Sequence, residues 1–84
     1  MSLFDRFRQP EWKHADPAVR VAAIRRLGPA DHEVLLGIVK TEADASMRRV
    51  AVRKLSDPVV LAEVARGDQD EGVRETAAEI LAGL

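Results

Sequence analysis

Apolar positions along this chain fall into short helical stripes, and the stripes recur. Three twelve-residue segments align without gaps: Asp16 to Leu27, Asp44 to Leu55 and Asp70 to Leu81. Within them Val19, Ala23 and Leu27 stand four residues apart, as do Met47, Ala51 and Leu55, and Val73, Ala77 and Leu81. That spacing places each trio on one face of a helix. Alanine at the centre of every stripe marks the closest approach of a neighbouring helix, because its side chain is the smallest apolar one. Each segment opens on an aspartate, whose carboxylate can accept from the free N–H groups of a first helical turn. Pro17, directly after Asp16, is suited to the first helical position.

The stretches between these segments repeat as well. Asp31 to Val39 aligns with Asp57 to Ala65, so that Val34, Leu35, Ile38 and Val39 correspond to Val60, Leu61, Val64 and Ala65. Asp31 and Asp57 are N-cap candidates, and Pro58 repeats the Asp-Pro arrangement of Asp16-Pro17. Gly28-Pro29, Ser56-Asp57-Pro58 and Gly67-Asp68 separate the elements. The pattern predicts helices over 17–27, 31–41, 45–55, 58–66 and 71–82. It predicts an irregular connection from Gln9 to Ala15 and a short helix over 2–8, with Ser2 and Asp5 placed as a capping box. Residues 1–15 thus read as an N-terminal cap segment and 16–84 as one repeat domain, its repeat helices starting near 16, 44 and 70.

Composition sharpens this. Of 84 residues, 46% are hydrophobic and 32% charged, too apolar for disorder and too charged for a membrane span. Thirteen alanines and ten valines dominate the apolar set, with only Phe4, Phe7 and Trp12 aromatic. Small side chains of this kind suit closely stacked short helices. A chain of this length buries only about 60–65% of its unfolded surface, which argues against a deep enclosed pocket. The absence of cysteine removes disulfides, thiolate metal sites and thiol nucleophiles. No apolar run approaches the roughly 20 residues of a membrane span, and Met1 to Arg6 lacks the apolar stretch of a signal peptide, so a cytoplasmic location is expected.

Four columns are identical in all three segments: Asp16/Asp44/Asp70, Arg20/Arg48/Arg74, Ala23/Ala51/Ala77 and Leu27/Leu55/Leu81. The resulting pattern, Asp-x-x-Val-Arg-x-x-Ala-x-x-x-Leu with Met47 in place of valine once, resembles the second helix of a HEAT repeat. The likeness is to the short bacterial kind also seen in phycobilisome-lyase-like proteins, and it covers residues 16–84. It implies an all-α fold, a short right-handed α-solenoid of about five helices in stacked pairs plus a short N-terminal helix, with the second helices lining a concave face. It implies too that the Asp and Arg columns form a ladder between neighbouring repeats. The start of the chain departs from the pattern: aligned on residues 31–39, residues 3–11 place Arg6 and Pro10 on apolar columns. Phe4, Phe7 and Trp12 are therefore expected to cap the first helix pair.

Charge is distributed unevenly. Residues 1–56 carry eleven Lys or Arg against seven Asp or Glu, whereas residues 57–84 carry two against seven, and the halves cancel to a net −1. Arg25 and Arg53 are equivalent positions, as are Arg26 and Lys54, with Arg49 nearby. Stacked repeats would gather these into a basic ridge, which Glu79 and Ile80 end in the third repeat. Such a ridge suits an acidic protein surface or a nucleic-acid backbone. The acidic partner is the better fit, because no aromatic side chain is interleaved for base stacking. The last helix shows a wide apolar face that includes Ile80, Leu81 and Leu84, where a second copy, a partner or a continuation of the chain would pack.

Chemistry is sparse by comparison. His14 and His32, the two histidines, lack the spacing of a metal site. The stretch from Asp68 to Glu79 has Val73 where a calcium loop needs glycine. No phosphate loop, dinucleotide motif or nucleophile elbow is present. No cofactor is expected. Some members of the resembled family act on bilins, but no residue here carries that activity over. The expected function is a non-catalytic interaction or scaffolding module. The alternatives are a nucleic-acid-binding adaptor using the same ridge, or an accessory fragment of a bilin-lyase-like protein.

Overall fold

A computed structural model describes residues 11–84, so the expected helix over 2–8, with Phe4 and Phe7, lies outside the described residues. Five α-helices follow one another: α1 (Pro17–Arg26), α2 (His32–Thr41), α3 (Ala45–Val52), α4 (Pro58–Gly67) and α5 (Glu71–Ala82). A 3-10 turn at Glu11–Lys13 precedes them, where an irregular connection was expected, and another at Pro29–Asp31 leads into α2. No strand occurs among the described residues, so the fold is all-α.

The aspartates start the helices as their position requires. Asp16, Asp44 and Asp57 accept from the backbone N–H two residues on, at 2.9 Å in each case, and Asp70 accepts from Val73 N at 2.9 Å. Asp31 is the exception. Its carboxylate turns back to the Gly28 N–H at 2.9 Å, closing the 3-10 turn and leaving α2 without a side-chain cap. The helices stop without left-handed glycines, since no described residue has a positive φ. The terminal residues Leu27, Glu42 and Asp68 are instead extended, and the chain turns straight into the next link. The helix expected to reach Leu55 ends at Val52. Lys54 N and Leu55 N bond to the carbonyls of Ala51 and Val52, so the last turn tightens to a 3-10 spacing.

Helix α3 is central, packing on α1, α2 and α5, while α4 packs on α5 and α1 on the Glu11–Lys13 turn. The molecule is elongated, 45 × 23 × 17 Å. Ile24, Leu35, Met47, Ala51, Val52, Leu61, Val73 and Ala77 form the sealed centre of one continuous core. Each large member contributes roughly 1.5–3 kcal/mol by leaving water. The central stripe holds in the second segment, where Met47 and Ala51 of α3 and Leu55 just beyond it are all buried. In α1 the buried positions are instead Ala23 and Ile24, with Val19 and Leu27 only half-buried. Trp12 packs against the core edge, with the Lys13 ammonium 5.1 Å from its ring centre.

Candidate interaction surface

The polar organisation of the molecule is built on the three-residue links Glu42-Ala43-Asp44 and Asp68-Gln69-Asp70. Each joins a helix pair, α2 to α3 and α4 to α5. A link this short leaves backbone carbonyls that no helix satisfies, and the arginine column supplies their donors. Arg48 Nη1 donates to the carbonyls of Glu42 (2.8 Å) and Ala43 (3.0 Å). Arg20 Nη1 does the same at His14 (2.8 Å) and Ala15 (3.1 Å), and Arg74 Nη1 donates to the carbonyl of Asp68 at 2.6 Å. Each arginine therefore clamps the link that precedes its own helix.

The arginines also reach forward. Arg48 meets the Asp68 carboxylate, and Arg20 Nη2 lies 3.7 Å from Glu42 Oε1. The carboxylates these arginines engage are not the N-cap aspartates but a separate column, two residues ahead of each cap. In that column the residue also accepts from the capping residue's own N–H: Glu42 from Asp44 N (3.2 Å), Asp68 from Asp70 N (2.9 Å) and His14 Nδ1 from Asp16 N (3.0 Å). This column was missed in reading the sequence. Its signal is the acidic pair Glu42 and Asp68, 26 residues apart, the same offset that separates Asp44 from Asp70. The Arg48 guanidinium holds the Asp68 carboxyl below its ordinary value, outweighing burial, and the Asp70 N–H adds to the effect. Asp44 is also held low, chiefly by the Ser46 hydroxyl, which donates to it at 2.6 Å.

Arg25, Arg26 and Arg53 are exposed at the ends of α1 and α3. Lys54 and Arg49 are engaged within the fold. Lys54 Nζ donates to the carbonyl of Arg25 at 2.6 Å, joining the C-terminal end of α1 to that of α3. Arg49 lies across the first turn of α5, with Nη2 3.9 Å from Asp70 Oδ2. Gly72 makes room for it, since a Cβ there would meet the Arg49 guanidinium. At the far end Ile80 and Leu81 are half-buried against the core, and Leu84 is 65% exposed.

Two clefts lie elsewhere on the surface and repeat one another. One, of about 570 Å³, is lined by Leu36 and Val39 of α2, Val60 and Val64 of α4, and the Arg48–Asp68 pair. The other, of about 470 Å³, lies between the Glu11–Lys13 turn and α2 and holds Arg20 and Glu42 in the corresponding places. None of the ridge residues lines either cleft. Among the described residues no helix is long and apolar enough to cross a membrane. Comparison with protein-family models, with curated proteins and with solved structures finds no match to this chain.

Proposed function

We propose that this chain is a non-catalytic protein-interaction or scaffolding module, a short right-handed solenoid of HEAT-like helix pairs that binds an acidic protein surface. The contact surface is the ridge of Arg25, Arg26 and Arg53, with Arg49 and Lys54 along its edge. The observation that carries this reading is the bond from Lys54 Nζ to the Arg25 carbonyl, because it brings the basic ends of α1 and α3 side by side. Exposed guanidinium groups on adjoining helix ends form a single field of one sign, which raises the local concentration of an acidic partner. The equivalent positions of α5 are Glu79 and Ile80, so the field has a defined edge.

The test is titration of the chain against a fluorescent Glu/Asp-rich peptide and a generic single-stranded RNA across a range of salt. The expected result is salt-sensitive binding of the acidic peptide that is lost in Arg25→Glu with Arg53→Glu, at unchanged helix content. Binding of the peptide by that double variant as tightly as by the parent overturns the proposal. Steeply salt-dependent binding of the RNA alone assigns the ridge to nucleic acid instead.

A further inference from the structure

The arginine column continues into α5, but its carboxylate partners do not. Arg20, Arg48 and Arg74 occupy one column, and all three clamp the link ahead of their own helix. Arg20 and Arg48 also meet the acidic residue of the next helix pair, Glu42 and Asp68. Arg74 has the backbone contact alone, with no carboxylate at ion-pair distance among the described residues. Burial follows the same progression. Ile24 and Val52 share a column and are fully buried, whereas Ala78, the third member, is exposed. Arg74, Ala78 and Ala82 stand four apart on one helix face, where small side chains allow a neighbour to come close.

We propose that this face of α5 docks a partner helix pair of the same kind, one that carries Asp or Glu two residues ahead of an aspartate N-cap. The partner's carboxylate takes the place on Arg74 that Asp68 holds on Arg48. The precedent is internal, since α4 and α5 meet the preceding pair in this way through Asp68. Charge complementarity decides the occupant. In a second copy of this chain the equivalent carboxylates, Glu42 and Asp68, are already engaged by Arg20 and Arg48. The remaining equivalent position is His14, which offers no carboxylate. The occupant is therefore a different polypeptide segment. This face is distinct from the basic ridge, so the two leave room for separate partners.

The experiment uses the full chain with a second copy of residues 57–84 joined after Leu84, which recreates the 28-residue spacing found between Asp16 and Asp44. Covalent attachment supplies an effective concentration on the order of millimolar, so even weak docking is read. The expected result is a single cooperative transition with a melting temperature at least about 5 °C higher. Arg74→Gln, which removes the donor to the Asp68 carbonyl, is expected to lower the melting temperature of the 84-residue chain by about 4–8 °C, and to lower that of the extended chain by more, abolishing most of the rise. Asn at the appended counterpart of Asp68 should do the same. An appended segment that stays unfolded, or an Arg74→Gln effect equal in both chains, overturns the proposal. Sedimentation equilibrium of the unextended chain tests the occupant. A monomer supports a different polypeptide, whereas a dimer dissolved by Ala78→Arg shows that a second copy covers the face.

Discussion

Arg48 holds Asp68 by two parallel hydrogen bonds, Nε to Oδ2 and Nη2 to Oδ1, each 3.0 Å long. Both side chains are largely buried, at 12% and 7% exposure. The same guanidinium ties down the Glu42 and Ala43 carbonyls through Nη1. One side chain thus joins two links that lie 26 residues apart in sequence. Planar two-point pairing of this kind is both stronger and more directional than a single ion contact. Removing one partner leaves a buried charge and two link carbonyls without their donor, so Arg48→Met should cost about 3 kcal/mol. That is a large share of the roughly 5–15 kcal/mol available to a domain, and urea denaturation at neutral pH measures it.

The same pair sets an acid limit. Asp68 titrates below its ordinary value of 3.8 in the folded state because Arg48 stabilises the carboxylate. A lowered folded value means the unfolded chain takes up the proton first as pH falls. The stabilisation is therefore fully present above the unfolded value and is lost as pH drops through the folded one. Stability should hold from pH 7 to about 5 and decline below about 4. Asp68→Asn should start lower at pH 7 and decline less steeply, as measured by urea midpoints across this range.

Ala51 is fully buried at the centre of α3, the helix that touches α1, α2 and α5. Ala51→Leu should overpack that meeting point and cost roughly 1–3 kcal/mol. A variant that melts with the parent would place Ala51 away from the helix contact.

Gly72 sets two small effects against each other. Alanine in a helix is favoured over glycine by roughly 0.5–1 kcal/mol. Its Cβ would displace the Arg49 guanidinium from Asp70, ending an ion pair at 3.9 Å in which both side chains are about 40% exposed. Such pairs contribute about 0–1 kcal/mol. Gly72→Ala should accordingly change stability by less than about 0.5 kcal/mol. It should also release Arg49 toward solvent, raising affinity for the acidic peptide at low salt.

Lys54 and Arg53 are adjacent in sequence and differ in role. Lys54 Nζ satisfies a carbonyl in the last turn of α1, where a cation is also favoured by the helix dipole. Lys54→Ala should cost about 1 kcal/mol. Arg53→Ala, at an exposed position, should stay within about 0.5 kcal/mol. Thermal melts of the two variants make the comparison.

The division between what could be read in advance and what could not follows from the range of the forces involved. Capping by Asp16, Asp44, Asp57 and Asp70 needs only the residue and the two or three that follow it, so local sequence suffices. Asp31 has the same residue type and was misread, because Gly28-Pro29 forms a 3-10 turn that draws its carboxylate backwards. The length of α3 failed for a related reason: Arg53 N still bonds to the Arg49 carbonyl, but Lys54 N and Leu55 N bond one residue nearer, to Ala51 and Val52, so the helix closes before Leu55. The buried face of α1 moved from Val19, Ala23 and Leu27 toward Ala23 and Ile24, since a neighbouring helix, not periodicity alone, selects which residues are sealed.

The recurring stripes of valine, alanine and leucine, with an aspartate before each repeat helix, determined that this chain is helical, where its helices begin and that they repeat. Those properties rest on interactions within four residues along the chain. Which carboxylate each arginine engages depends instead on how the helices pack. Arg48 and Asp68 are 20 residues apart, and their meeting depends on α3 lying against α5. That packing likewise engages Lys54 and Arg49 of the basic set within the fold while Arg25 and Arg53 stand in solvent. A column of like residues predicts neighbours along a stack, but the distance between backbones decides whether a side chain is used for packing or presented to a partner.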